Sequence, residues 1–166
     1  RVLRPFEAGR LPSPYAGLVA LDGNLTLALL SEIAAAPMFA GADLRVAPAS
    51  PGKADRLRPL VGHPRATLYV NREEAGLLCN REFDDAATAA EGILALGAAR
   101  VVVTDGGRPA AEGMRDDGVL TGQPPQVMVT PVTGAGDTFM AAHIAAEARG
   151  LSRADALAEA LQRAAV

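Results

Sequence analysis

The fold-determining stretch of the chain is Val129-Thr130-Pro131-Val132-Thr133-Gly134-Ala135-Gly136-Asp137-Thr138-Phe139, in which a short apolar segment turns through two glycines into an alanine-rich helix. The glycines flank one small residue, so the backbone of this turn can approach a bound anion closely. The helix that follows directs its free N–H groups and the positive end of its dipole at the same place. The stretch therefore predicts a phosphate-binding site.

One acid, Asp137, follows the second glycine of this turn. A carboxylate at that position would lie beside a bound phosphate and could serve as its base. Aspartate is also a favoured N-cap, so the residue type alone equally supports a structural role at the start of the helix. The rest of the sequence decides between these two interpretations.

Composition sets the class of protein. With 166 residues, of which 49% are hydrophobic, the chain can bury a substantial core as one domain. A net charge of −3 gives no electrostatic footprint for nucleic acid or an anionic membrane, so neither partner is expected. The single cysteine, Cys79, excludes a disulfide framework and predicts a buried thiol in a cytoplasmic protein. No stretch has the length of a membrane span.

Short apolar runs alternate with helical patterns along nearly the whole chain. This alternation predicts an α/β fold, a three-layer α/β/α sandwich on a mostly parallel sheet. Strands are expected at 17–22, 44–47, 67–70, 101–104 and 127–129, with a hairpin around 116–118. Helices are expected at 25–36, 50–61, 73–79, 84–97 and 137–149, and from 152 to the end.

Polar residues follow several of the predicted strands. Asp22, Asn71, Thr104 and the loop at 130–137 all fall at carboxyl ends of strands, where open α/β sheets bind their ligands. We therefore expect one site at this edge of the sheet. His63 and His143 show no metal-ligand spacing and are interpreted as surface or helix residues.

The run from Thr133 to Phe139, between a strand and a helix, resembles the signature of the ribokinase-like (PfkB) carbohydrate and nucleoside kinases. Two further segments occur in that family's order. Asn71-Arg72-Glu73-Glu74 is similar to its Asn-x-x-Glu element, and Val102-Val103-Thr104-Asp105-Gly106 is similar to its strand ending in Thr-x-Gly. The resemblance covers residues 17–166 and implies a ribokinase-like sandwich, incomplete at both ends.

The resemblance implies a role for each part of the signature. Asp137 would be the general base that takes the proton from the acceptor hydroxyl as it attacks the terminal phosphate of ATP. The N–H groups of Gly134, Ala135 and Gly136 would stabilise charge on the transferred phosphoryl group.

The other two elements would hold the nucleotide and its metal. Glu74 would hold Mg²⁺ near the phosphates, with Asn71 orienting the same network. Thr104, Gly106 and Thr133 would line the nucleotide side, although Gly107-Arg108-Pro109 stands where the family has a further glycine. An alternative for Asn71 and Glu74 is purely local: Asn71 caps the short helix and Glu74 favours its positive end.

A third group of residues resembles the pseudouridine kinase branch of the family. Asp22 and Asn24 are similar to an Asp-x-Asn element, and Lys53 ends a stretch, Pro48-Ala49-Ser50-Pro51-Gly52-Lys53, similar to one in that branch. These three are candidate substrate residues. The alternatives are a turn role for Asp-Gly-Asn and a solvated helix position for Lys53.

Together these features predict an ATP- and Mg²⁺-dependent phosphotransferase acting on a sugar or nucleoside, most closely a pseudouridine kinase. Residues 1–166 are interpreted as one partial kinase domain that resembles the family's carboxy-terminal half and lacks its amino-terminal substrate and lid part. The alternative is a truncated, non-catalytic module that binds nucleotide or a partner. Sheet edges and faces left uncovered by the missing half predict self-association.

Overall fold

The computed structural model describes residues 3–125 and 134–165 of the chain. Within these ranges one sheet is formed by β1 (Leu18–Asp22), β2 (Asp43–Ala47), β3 (Ala66–Asn71), β4 (Arg100–Asp105), β5 (Arg108–Met114) and β6 (Gly118–Gly122). The strands lie side by side in chain order. The first four are parallel, and β5 and β6 extend the sheet as an antiparallel hairpin. The predicted α/β fold and the hairpin are confirmed.

Seven helices accompany the sheet in the described ranges. They are α1 (Arg4–Glu7), α2 (Leu27–Ala35), α3 (Arg58–Val61), α4 (Arg72–Cys79), α5 (Ala86–Ala95), α6 (Ala135–Ala148) and α7 (Arg153–Ala164). Because the parallel strands advance in one direction and crossovers are right-handed, the connecting helices α2 to α5 all lie on the same face of the sheet. None of the described helices is long and apolar enough to span a membrane.

One face of the sheet, here called the apolar face, packs under α2 to α5. Alternate residues of the parallel strands supply it, for instance Val46, Leu68 and Val103, all essentially inaccessible to solvent. From the helices, Ile33, Leu78, Ile93 and their neighbours complete a single core. This face needs no polar partner, because its strands are β-branched or aliphatic at each inward position.

The opposite face, here called the charged face, lies under α6 and α7. Tyr69, Val102 and Ala110 from the strands pack there against Phe139 of α6 and against Leu157, Ala160 and Leu161 of α7. The arrangement is the predicted three-layer sandwich. The predicted core positions Leu157 and Leu161 are confirmed.

Several predicted boundaries differ from the structure. Residues Pro51–Leu57 form 3₁₀ turns before α3 rather than a continuous α-helix, and the start of the chain includes the one-turn α1. Cys79, predicted as buried, is half-buried. The predicted strand at 127–129 lies outside the described residues.

The start of α6 corrects a further expectation. The helix begins at Ala135, and its N-cap is Gly134, whose φ of +95° lies in the left-handed region that glycine adopts without strain. Asp137 therefore stands in the first turn of the helix. The interpretation of Asp137 as the N-cap is wrong. At the other end, Gly150 has the expected positive φ of 83° and Ser152 caps α7 as predicted.

Candidate active site

A pocket of about 280 Å³ opens at the carboxyl ends of β2, β3 and β4, against the N-terminus of α6. Its wall brings together six of the predicted site residues, namely Asn71, Glu74, Thr104, Gly134, Gly136 and Asp137. Ala47, Pro48, Ala49, Tyr69, Val70, Val102 and Phe139 complete the lining. Elements distant in sequence thus converge where the sequence predicted a single site.

The first turn of α6 supplies hydrogen-bond donors to this pocket. Thr138 donates its N–H to the Gly134 carbonyl at 2.9 Å, which is the first bond of the helix. The N–H groups before it have no partner inside the helix, and no side chain of the described residues caps them. No described atom comes within 4 Å of the point where a Cβ on Gly136 would stand, so this turn faces open space. An anion could approach these donors directly.

Asp137 lies exposed beside the same donors and lines the pocket. Its carboxylate belongs to the helix turn with the most positive potential, where a negative charge is stabilised. It is therefore placed next to any anion bound at the turn. Ala135, whose N–H was predicted to join the anion site, heads the helix but is not among the lining residues.

Asn71 and Glu74 form a complete capping box at the start of α4. The Asn71 Oδ1 accepts from the Glu74 N–H at 2.8 Å, and the Glu74 Oε2 accepts from the Asn71 N–H at 2.8 Å. The local structural role that the sequence left open is thus present. Both residues also line the pocket, so capping and ligand binding are compatible.

The Glu74 carboxylate is suited to a metal ion. It is buried, and burial raises its pKa against the opposing bond from the Asn71 backbone. A desolvated carboxylate whose charge no described cationic side chain offsets is stabilised by a hard cation, and Mg²⁺ prefers one or two carboxylate oxygens with waters. Oε2 is engaged in the capping box, which leaves Oε1 for such an ion.

The residues predicted for the nucleotide are divided by the structure. Thr104 lines the pocket from β4. Gly106, with φ of +60°, forms the tight turn between β4 and β5 and is not among the lining residues. Thr133 lies outside the described residues.

The three candidate substrate residues form one hydrogen-bonded chain. Lys53 Nζ donates to Asn24 Oδ1 at 2.6 Å, while Asn24 donates its N–H and its side-chain amide to Asp22 at 2.9 Å each. The turn that was the alternative role of Asp22 and Asn24 is visible, whereas Lys53 lies half-buried in the 3₁₀ segment before α3. This hydrogen-bonded group adjoins the pocket wall through Gly23, which lies between Asp22 and Asn24. A Cβ on Gly23 would stand 2.1 Å from the carbonyl oxygen of Pro48, which lines the pocket.

The sequence profile described as pfkB family carbohydrate kinase matches residues 15–166. The chain belongs to the pfkB family. No curated protein sequence matches it significantly.

Solved structures similar to this pfkB family member include a carbohydrate kinase from Agrobacterium tumefaciens, 25% identical with a TM-score of 0.74, covering 90% of this chain and 47% of the other. Phosphofructokinase-2 from Escherichia coli is 21% identical, with a TM-score of 0.75 over 96% of this chain and 53% of the other. Adenosine kinase from Schistosoma mansoni is 20% identical, with a TM-score of 0.72 over 89% of this chain and 49% of the other. The chain therefore spans about half the length of the structures it matches.

The depth of one residue near the pocket of this pfkB domain was not predicted from the sequence. His143, expected as a surface or helix residue, lies in α6 but is fully buried, with Nδ1 2.9 Å from the Tyr69 hydroxyl. Its ring stacks on Phe139, and both Tyr69 and Phe139 line the pocket. The four-residue spacing from Phe139 to His143 to Glu147 was the available signal, because such residues share one helix face.

A second unpredicted feature of the pfkB pocket is the backbone of Ala49. This alanine has φ of +66°, in the left-handed region that is costly for residues with a Cβ. It lines the pocket after β2, next to Pro48. Backbone strain of this kind persists where the surrounding structure imposes it, and here it shapes the pocket wall.

Proposed function

We propose that the protein transfers the terminal phosphate of ATP to a hydroxyl of a sugar or nucleoside, with pseudouridine as the favoured acceptor. The observation that carries this proposal is the placement of Asp137. Its carboxylate lies exposed at the N-terminus of α6, beside N–H donors that no described side chain caps and in one pocket with Glu74 and Thr104. A base, an anion site and a metal-binding carboxylate are the parts that phosphoryl transfer needs.

In this mechanism the acceptor hydroxyl is held within reach of Asp137. As its oxygen bonds to the terminal phosphorus of ATP, the bond to the bridging oxygen of ADP breaks, and Asp137 accepts the hydroxyl proton. The N–H groups of the first turn of α6 face the phosphoryl oxygens, where they stabilise the negative charge. ADP leaves with the electron pair of the broken bond.

Glu74, with Asn71 beside it, would hold the magnesium ion. When bound, the ion supplies positive charge that neutralises the phosphates of ATP. The chain's own contribution is to present a desolvated carboxylate oxygen there, held in place by the capping box with Asn71. Thr104 lines the same side of the pocket and would contact the nucleotide.

Support for pseudouridine comes from the chain of Asp22, Asn24 and Lys53. Their mutual hydrogen bonds fix two polar groups and an ammonium next to the Pro48–Ala49 wall. Such a group could hold the hydroxyls or the base of a nucleoside through several directed bonds. This assignment goes beyond the family membership and rests on the resemblance of these residues to the pseudouridine kinase branch.

The test is Mg²⁺-dependent ADP production with pseudouridine, ribose, fructose and adenosine. The assay compares the natural full-length protein with Asp137→Asn, and with Asp116→Asn as a control at an exposed turn distant in sequence from the pocket. We expect turnover to fall on the order of a thousandfold in Asp137→Asn, the scale of general base catalysis, and to stay unchanged in Asp116→Asn. Equal turnover in both variants would remove Asp137 from the mechanism.

A second candidate is a non-catalytic nucleotide-binding module, favoured by the coverage of only about half of each matched structure. It predicts that ATP binds with Mg²⁺ while none of the four acceptors is phosphorylated. Calorimetric titration of ATP, run beside the turnover assay, separates the two functions.

A further inference from the structure

Charged and polar side chains line the charged face of the sheet, directly under α6. Arg45 on β2, Tyr69 on β3 and Glu112 on β5 are each at most 7% exposed. Arg100 on β4 joins them, since its Nε donates to Glu112 Oε1 at 2.7 Å. Burying an ionic group costs free energy of folding unless the group is paired. The partners of these groups therefore indicate what the charged face binds.

Some partners lie elsewhere, since Asp43 on β2 pairs with Arg45 and Arg153 on α7 with Glu112, and helix α6 supplies the partner that two strands share, Glu147. Glu147 Oε2 accepts from Arg45 Nη1 at 2.5 Å, and its Oε1 accepts from Arg100 Nη2 at 2.5 Å. The two arginines stand on β2 and β4, which flank β3. The Glu147 carboxylate is thus fixed between two strands by charge-assisted bonds in two directions.

A second link runs through Tyr69 to the pocket. The Tyr69 hydroxyl accepts from Arg45 Nη1 at 3.0 Å and lies 2.9 Å from His143 Nδ1. The His143 ring stacks on Phe139, with centroids 6.2 Å apart and planes at 8°. Because Tyr69 and Phe139 line the pocket, the network reaches the pocket wall from below.

The ionisation states of the network favour these pairings at neutral pH. Burial acts to raise the pKa of Glu147, but the bonds from Arg100 and Arg45 outweigh it and lower that pKa. Glu112 follows the same pattern, with burial opposed by His143 and Arg100. Burial raises the pKa of Tyr69 to about 12. At neutral pH the carboxylates are therefore charged and the phenol is a neutral donor.

A metal ion is a poor alternative occupant for this cluster. Glu112, His143 and Glu147 do offer ligand atoms within 4.8 Å of one another. The Glu147 oxygens and one oxygen of Glu112 already bind arginines. Glu112 Oε2 and His143 Nε2, 3.7 Å apart, stay without a hydrogen bond among the described residues. Only these two atoms are left as ligands, and the guanidinium groups of Arg45 and Arg100, which bind the same carboxylates, repel a cation.

We propose that Glu147 and His143 are positioning residues that fix where α6 lies along the sheet and so place Asp137 and the first-turn N–H groups in the pocket. The proposal rests on the proposed function, in which Asp137 is the base. An alanine-rich helix has few large side chains to fix its axial position by packing. Glu147 lies ten residues after Asp137, about 15 Å along the axis at 1.5 Å per residue, and a helix transmits that position as a rigid rod.

The test uses Glu147→Gln, which keeps the shape of the side chain and removes its charge. Glu159→Gln is the matched control, since Glu159 on α7 also pairs with an arginine, Arg149, at 2.6 Å and with similar side-chain exposure. Both variants are made in the natural full-length protein, and turnover is expressed per nucleotide-binding site so that unfolded protein does not count. Phosphoryl transfer depends on positions held within about 1 Å.

We expect kcat to fall on the order of ten- to a hundredfold in Glu147→Gln, with KM for ATP within about twofold, and both constants to stay unchanged in Glu159→Gln. A variant that only lost stability would keep the kcat of its folded fraction. Unchanged kcat in Glu147→Gln, or an equal loss in the control, would overturn the proposal.

Hydrogen exchange keeps the proposal separate from the kinase assignment. Amides of residues 137–142 should exchange at least about tenfold faster relative to those of α7 in Glu147→Gln, and not in Glu159→Gln. If the wild-type protein has no kinase activity, the proposed function fails while this comparison still decides the positioning. If Glu147→Gln does not fold, Tyr69→Phe, which keeps the ring in the pocket wall, is measured by turnover and by hydrogen exchange instead. It should lower kcat about threefold to tenfold because one link of the network remains, and an unchanged kcat would overturn the proposal.

Discussion

The two faces of the sheet are built on different principles although the same strands supply both. On the apolar face, Leu68 and Val103 meet aliphatic helix residues, and burial alone stabilises the packing. On the charged face, Tyr69 and Arg100, one and three residues away on the same two strands, meet a histidine and a glutamate from α6. Apolar packing tolerates small shifts, whereas paired charges define positions. The face that adjoins the pocket is the one that defines positions.

The strongest way to break the charged face is Arg100→Met. Removing this guanidinium leaves the fully buried Glu112 and the half-buried Glu147 short of a partner. Loss of one partner of a buried pair costs about 3–5 kcal/mol of unfolding free energy, measured by urea denaturation. Arg163→Met, at an exposed position on α7, should change it by less than about 0.5 kcal/mol. Equal effects would mean that the buried pairs contribute no more than surface ones.

Adjacent residues of β3 compare the two faces directly. Leu68→Ala opens a cavity in the apolar face and should lower the unfolding free energy by about 3 kcal/mol while leaving kcat of the folded protein unchanged. Tyr69→Phe removes one buried hydroxyl and should cost only about 1 kcal/mol while lowering kcat. Leu68→Ala should thus lose more stability and Tyr69→Phe more kcat, and denaturation and turnover measured on both variants test this opposite order. The comparison fails if the larger loss of stability also gives the larger loss of kcat.

Acid should weaken the charged face selectively. The pKa values of Glu112 and Glu147 lie below the usual range, because the nearby arginines, and for Glu112 also His143, outweigh burial. As the pH falls, the two carboxylates are protonated in the unfolded chain before they are protonated in the folded protein. The stability that they contribute is fully present above the usual carboxyl pKa range, and it is lost as the pH falls towards their lower pKa values in the folded protein. In Glu147→Gln the unfolding free energy should change less between pH 7 and pH 4. An identical pH dependence in the two proteins would show that Glu147 is not the group responsible.

The smallest effect is expected at the pocket rim, between the two faces. Ala49→Gly relieves a left-handed alanine, which costs about 1–2 kcal/mol, but adds flexibility to the unfolded chain. We expect a net gain of about 0.5 kcal/mol in thermal denaturation. Ala87→Gly in α5, where the backbone is helical, should instead lose about 1 kcal/mol. A loss of unfolding free energy in both variants would indicate that Ala49 is not strained.

The apolar face was readable from the sequence, and the charged face was not. Runs such as Val101-Val102-Val103 predict a buried strand by composition alone, and Ser152 or Gly150 mark helix ends by local chemistry. Arg45 and Glu147, in contrast, are 102 residues apart, and either alone is typical of a solvated position. Their burial depends on a tertiary pairing that no local pattern contains.

The candidate site shows the same division. The glycine turn before Asp137 and the Asn71–Glu74 element predicted which residues share the pocket, because both are local backbone features with fixed consequences. The alternative that Asp137 is the N-cap is excluded, since Gly134, three residues earlier, takes that position with a positive φ. His143 lies in a helix, as one of its two expected placements had it, but its burial was not predicted because a lone histidine carries no signal of its depth.

The long sequence separation of Arg45 and Glu147 also bears on the order of folding. Contacts that close long loops form late, so β1 to β4 with their connecting helices can assemble before α6 docks. Until then, this side of the growing sheet displays Arg45 and Arg100 instead of a continuous aliphatic surface. Inward-pointing charge is a known means of keeping sheets from pairing with one another. We therefore expect the arginines that pair with Glu147 in the finished fold to make the unfinished sheet less prone to aggregation.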